Sequence, residues 1–194
     1  MELYYEKGRI ECGCDEAGRG CVAGPVYAAA VIWPTDLSHP KLRDSKKIDE
    51  KTRYELREYV MENAVAYGIA SVSPEEIDEI NILRASFKAM HKAIGKLTVT
   101  PDLLLIDGNK FDVYKEIPHE TIIGGDDIYF SIAAASILAK TSRDSYMVKM
   151  AEQYPDYHWK GNKGYGTKAH VEAIREHGYT PLHRKSFHIK SLQK

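Results

Sequence analysis

Residues 26–33 read VYAAAVIW, eight consecutive apolar positions followed at once by Pro34. The run is too short for a bilayer span, and it lacks the polar face that a surface helix or a half-exposed strand would show. It therefore reads as a strand buried on both faces, which requires helices above and below the sheet that holds it. Residues 103–107 (LLLID) repeat the pattern in shorter form and end in an acid and a turn, Asp107-Gly108-Asn109.

The remaining elements are placed around these two. Residues 10–15 form a strand that turns at Gly18–Gly20 and pairs with 26–33 as a hairpin at the sheet centre, with further strands at 64–72 and 119–123. Helical periodicity runs over 49–63. A second helix starts at Ser73, with Pro74 in its first turn, and continues to about residue 97 with a break at Gly95. A long helix from 128 to about 153 carries the small residues Ser131, Ala133, Ala134, Ala135, Ser136 and Ala139, which allow close packing on a sheet. Pro155 stops it, and a last helix at 167–177 ends at Gly178. The expected fold is an α/β domain, a mixed sheet of about five strands flanked by helices. Residues 1–153 are its core, and 154–194 form a helical and loop extension packed beside it.

The 194 residues suit one such domain, and 43% apolar with 28% charged residues excludes a disordered or membrane-embedded chain. The N-terminus, MELYYEKGRIE, lacks the basic-then-apolar order of a signal peptide, so a cytoplasmic location is expected. Cys12, Cys14 and Cys21 are odd in number and have no second cluster to complete a zinc site, so they read as small buried apolar residues. The eight histidines show no HExxH or similar pairing, and most of them read as structural. From residue 158 onward eight basic residues face only Glu172 and Glu176, a charge balance that suits either a solvated face or a polyanion partner.

Four acids stand out by position. Asp15 and Glu16 are adjacent at the end of the first strand, Asp107 ends the 103–107 strand, and Asp126 or Asp127 stands at the mouth of the long helix. Strand ends in an open α/β sheet converge on one edge, where such folds place their sites. From position alone, Asp107 is also consistent with a turn residue and Asp126 or Asp127 with a helix cap. The adjacent pair is harder to explain without a cation, because like charges repel. Carboxylates without His or Cys partners suit hard ions such as Mg²⁺ or Mn²⁺. Two such ions about 3.5–4 Å apart can activate a water and stabilise the leaving oxygen of a phosphodiester.

These residues carry a resemblance. Cys14-Asp15-Glu16-Ala17-Gly18-Arg19-Gly20, followed by Gly24-Pro25-Val26, is similar to the opening motif of the type 2 ribonucleases H, the ribonuclease HII family. In the family's order there follow Asp44-Ser45-Lys46-Lys47, Ile106-Asp107-Gly108-Asn109 and Gly125-Asp126. After these come 134–140 (AASILAK) with Arg143-Asp144, then Gly164-Tyr165-Gly166-Thr167 with His170, and finally His183-Arg184-Lys185-Ser186-Phe187. With the last two taken as one C-terminal signature, six motifs in one order cover nearly the whole chain.

The resemblance implies a ribonuclease H-like fold and a metal-dependent endonuclease using Mn²⁺ or Mg²⁺. Such an enzyme cleaves the RNA strand of RNA–DNA hybrids and incises duplex DNA at embedded ribonucleotides, leaving 5′-phosphate and 3′-hydroxyl ends. It implies Asp15, Glu16, Asp107 and Asp126 as catalytic metal ligands, with Asp127 one place too late. The Gly18-Arg19-Gly20 backbone is implied to meet the ribose 2′-hydroxyl, the group that distinguishes RNA from DNA. Tyr165 is implied to pack on the next deoxyribose. Ser45 belongs to the implied substrate site, and Arg19, Lys46, Lys163, Arg184 and Lys185 are implied phosphate contacts. Gly124 departs from the lysine common in bacterial relatives, which removes one expected contact. A monomer acting on nucleic acid, away from membranes, is expected. Rival readings are another nuclease on the same fold, such as a junction resolvase, and a non-catalytic binding module. The first would lack the paired turn and tyrosine loop, and the second would lack one of the acids.

Overall fold

The computed structural model describes residues 1–42, 45–189 and 192, with Lys46 described by its backbone alone. Five strands form one sheet: β1 (Glu11–Ala17), β2 (Val26–Ile32), β3 (Ala66–Val72), β4 (Leu103–Asp107) and β5 (His119–Ile122). They lie in the order β3-β2-β1-β4-β5. β1 pairs antiparallel with β2 and parallel with β4, so the hairpin and the first parallel crossover share one central strand. β2 pairs antiparallel with β3, and β4 pairs parallel with β5.

Alternation along the strands sorts their side chains between two layers. Cys12, Cys14, Ala28 and Ala30 face one apolar cluster, with α2 (Pro74–Ile80) and α3 (Ile82–Ile94). Ala29 and Val31 face the other, with α1 (Glu50–Asn63) and α4 (Phe130–Gln153). This double burial is what the unbroken apolar runs of β2 and β4 require. α4 lies so close to β1 that a Cβ on Gly13 would come within 2.2 Å of the Ser131 backbone. The three cysteines are buried and free.

Three boundaries differ from the sequence reading. β1 runs on to Ala17, so Asp15 and Glu16 lie within the strand and not at its end. The helix expected from Ser73 to about 97 is two helices. Ser73 caps the first as expected, but Asn81 takes φ 67° and its side chain accepts from the Arg84 N–H, starting α3 anew. The apolar periodicity continues across this joint, so no composition signal marks it. The long helix begins at Phe130, after a 3₁₀ turn at Gly125–Asp127. Its cap position is Tyr129, so neither Asp126 nor Asp127 caps it.

Beyond α4 come a 3₁₀ turn (Pro155–Tyr157), α5 (Trp159–Asn162) and α6 (Lys168–His177), capped by Thr167. Tyr157, Trp159, Ala173 and Ile174 pack with Ala23 and Met147. Residues 182–184 run back beside 22–24: Gly24 N–H donates to Leu182 O (2.7 Å) and Arg184 N–H to Val22 O (2.9 Å). Among the described residues no helix is long and apolar enough to cross a membrane.

Candidate active site

Asp15 shares the strand face of Gly13, toward α4, and is only 6% exposed. It accepts hydrogen bonds from the Ser136 hydroxyl on that helix and from the Glu16 N–H, the latter at 2.7 Å. Ser136 in turn lies 3.0 Å, oxygen to oxygen, from Ser45. Glu16, one residue on, leaves the opposite face of the strand, which is how two adjacent acids are accommodated, and it pairs with Arg19 at 3.2 Å. At the end of β4, Asp107 accepts the Gly125 N–H at 2.8 Å. That bond ties the 3₁₀ turn to the strand and holds Asp126, buried at 6% exposure, beside the other acids. Asp127 points outward and pairs with Lys47.

Burial, followed by the charges of Glu16 and Asp107 and then of Asp126, pushes the Asp15 carboxyl well above the usual carboxylate range, against the Ser136 bond that favours ionisation. Burial raises Glu16 as well, opposed by Arg19. The four acids thus lie in one another's field. Among the described residues no three of them are already drawn into a metal cage. Even so, the donor chemistry, all carboxylate oxygen under mutual repulsion, fits a hard divalent cation and no softer metal.

Beside the acids lies the Gly18–Gly20 turn. Gly18 has φ +95°, and a Cβ there would fall 1.9 Å from Arg143 Nε. Arg143, buried on α4, donates to the carbonyls of Ala23 (3.0 Å), Pro25 (3.1 Å) and Lys163 (2.8 Å). Its guanidinium therefore joins the segment after the turn to the loop that carries Tyr165. The Tyr165 ring is 45% exposed, lies 5.8 Å from Lys140 Nζ, and its hydroxyl meets the Cys21 thiol. A cleft of about 220 Å³ is lined by Asp15, Glu16, Gly18, Arg19, Gly20, Ser45, Ser136, Lys140 and Tyr165.

Most of the expected site residues therefore meet in one place. Three of the basic residues, Arg184, Lys185 and Lys163, do not line that cleft. Arg184 is 1% exposed and donates to Gly24 O (2.9 Å) and Arg19 O (3.0 Å), so it braces the turn from behind, and the expectation of a phosphate contact is corrected accordingly. Its Nη2 is buried and has no hydrogen-bond partner among the described residues, and burial, then the charge of Arg143, lowers its pKa to about 10. Lys185 is exposed, next to Asp78, which accepts its backbone N–H. Lys163 stands 3.9 Å from Glu50. The expectation for Lys46 concerns a side chain outside the described residues, as are Arg43 and Asp44.

Ser136, Lys140 and Arg143 belong to the long-helix motif quoted from the sequence but were given no part in the site there. The first two are four apart on one helix face, a spacing that marks neighbours but not a cleft. His170 and His183, read as structural, form a buried pair beneath Tyr165.

The family model described as Ribonuclease HII matches residues 12–190. A Ribonuclease HII from Parabacteroides distasonis is 62% identical over 184 residues, covering 95% of this chain and 92% of the relative. Among solved structures, ribonuclease H2 from Pyrococcus horikoshii OT3 superposes with a TM-score of 0.76 at 24% identity, covering 91% of this chain and 93% of that one. Bst-RNase HIII in complex with Mn²⁺ gives 0.69 at 16% identity, covering 91% and 66%.

Proposed function

The chain belongs to the ribonuclease HII family, a family of hydrolytic nucleases acting on RNA–DNA hybrids, and from that premise we propose how its own residues do this work. The observation that carries the proposal is the single cleft shared by Asp15, Glu16, the Gly18–Gly20 turn and Tyr165.

Asp15, Glu16, Asp107 and Asp126 hold divalent cations, Mg²⁺ or Mn²⁺. Bound there, such ions would supply activation of a water and charge stabilisation for the leaving 3′-oxygen, and the products would carry 5′-phosphate and 3′-hydroxyl ends. Ser136 fixes the rotamer of Asp15, and Arg19 holds Glu16 at the rim. The Gly18-Arg19-Gly20 backbone approaches the ribose and reads its 2′-hydroxyl, since glycine leaves room for close contact. Tyr165 packs its ring on the sugar that follows. Lys140 adds positive charge to the same cleft, and Lys46, Lys163 and Lys185 are phosphate contacts that position the duplex without reading its sequence.

The substrates are RNA–DNA hybrids and duplex DNA with embedded ribonucleotides. The protein acts as a cytoplasmic monomer, with the Tyr165 loop of the C-terminal extension forming the outer wall of the site. The test is cleavage of a duplex bearing one ribonucleotide, with Mg²⁺, with Mn²⁺ and with EDTA, the cut being mapped. Incision on the 5′ side of the ribonucleotide only with metal is expected, and metal-independent or sequence-dependent cutting would overturn the reading. In the same assay Tyr165→Ala loses most cleavage at the lone ribonucleotide and less within a long hybrid, and Tyr165→Phe falls between, by about 0.5–1.5 kcal/mol.

A further inference from the structure

The Tyr165 loop has little side-chain anchorage of its own, because glycine stands on either side of the tyrosine. Its carbonyl is gripped twice, by the Thr167 N–H within the loop (2.8 Å) and by His170 Nδ1 from outside it (2.8 Å). Two fixed donors, the Trp159 indole and the Thr180 backbone N–H, assign the ring protons, with the Thr180 hydroxyl also 2.9 Å from His183 Nδ1. Thr180 N–H donates to His183 Nδ1 (2.9 Å), so the His183 ring proton is on Nε2. That Nε2 lies 3.0 Å from His170 Nε2, whose lone pair accepts the Trp159 Nε1–H at 3.0 Å and is shared with the His183 ring. His170 Nε2 is therefore bare, and its proton sits on Nδ1, where it donates to Tyr165 O.

Both rings are buried and neutral, enclosed by Tyr157, Trp159 and Tyr179. The backbone of His183 bridges Ala23, just after the glycine turn, and Val22 N–H donates to Gly164 O at 2.9 Å. One buried assembly thus touches both walls of the cleft.

We infer that His170 and His183 are positioning residues, a proton-ordered chain from Thr180 through both imidazoles to the Tyr165 carbonyl that sets where the tyrosine ring stands relative to the Gly18–Gly20 turn. The inference rests on the reading of Tyr165 as the residue that meets the sugar after the ribonucleotide. His170 touches neither substrate nor metal ligand, and it acts only through the loop.

Two substitutions divide what His170 does. Asparagine puts an amide nitrogen where Nδ1 stands, so H170N keeps the donor to Tyr165 O but strands the buried Trp159 and His183 donors. Glutamine reaches the Nε2 position, so H170Q keeps an acceptor for Trp159 and His183 and loses the bond to Tyr165. The readouts are melting temperature and the ratio of kcat/KM on a single-ribonucleotide duplex to that on a long hybrid. H170N is expected to be the less stable variant yet to keep the ratio within about twofold, while H170Q is the more stable and loses about fivefold, the equivalent of one ordinary hydrogen bond.

A merely structural role predicts the reverse, with selectivity following stability, and that outcome overturns the inference. Tyr165→Ala measured alongside separates the two levels. A ratio unchanged in Tyr165→Ala overturns the tyrosine reading and this inference with it. A ratio changed there but unchanged in H170Q overturns this inference alone.

Discussion

Gly18→Ala offers a direct measurement of how tightly the glycine turn is built onto α4. Two penalties apply. The backbone at φ +95° lies in the left-handed region, where a Cβ costs about 1–2 kcal/mol. The new methyl would also sit 1.9 Å from Arg143 Nε and 2.4 Å from its Cδ, so the guanidinium must move. It cannot move freely, because it donates to three carbonyls, and a hydrogen bond from a charged group contributes about 1.5–3 kcal/mol. Loss of even one of them brings the total to about 2.5–5 kcal/mol, or a melting temperature lower by roughly 5–20 °C for a chain of this size. In an Arg143→Ala background the obstruction is gone and only the backbone penalty remains. Urea unfolding of wild type, both single variants and the double variant closes the cycle, and a coupling of about 2 kcal/mol at unchanged m-values is expected. An equal cost of Gly18→Ala in both backgrounds would refute the idea that Arg143 sets the turn.

Asp15→Asn should abolish nearly all cleavage without weakening the metal-free fold. Because burial and neighbouring acids raise its native pKa, the stability contributed by protonated Asp15 is complete below the ordinary Asp range and is lost as pH rises through the raised value. In EDTA the variant's melting advantage should therefore grow as pH rises above the ordinary Asp range, and a shrinking gap would contradict this. Asp126→Asn is expected to be severely impaired in turnover, whereas Asp127→Asn gives up only an exposed pair with Lys47, and equal losses in activity would refute the distinction. Lys185→Ala should flatten the log–log salt dependence of duplex binding by about 0.9. Arg184→Met should leave that slope alone and lower the melting temperature, since its charge is turned inward; the opposite pattern would put Arg184 on the nucleic acid.

The sheet was legible because burial on both faces leaves a one-dimensional signature, as in residues 26–33 and 103–107. The carboxylates were legible because charge beside a buried strand is costly enough to be conspicuous. The joint at Asn81 was not, since a single residue with φ 67° changes the helix without interrupting its apolar rhythm. Nor were the separate tasks of the basic residues. Arg184 and Lys185 are neighbours in sequence, yet one faces two buried carbonyls and the other faces solvent, a difference that exists only once 182–184 has paired with 22–24. The histidine pair escaped for the same reason, because His170 and His183 acquire their meaning from each other and from Trp159.

That pairing of 182–184 with 22–24 also bears on the order of assembly. Arg184 and Gly24 are 160 positions apart, so their contact closes a loop that contains nearly the whole sheet and its helices. Long-range closures reward the chain only after their entropy has been met, and they come late in folding. During synthesis all four acids will have left the ribosome while the brace for the glycine turn is still unmade. A nascent chain at that stage carries the four acids but not yet the buried guanidinium that braces the glycine turn.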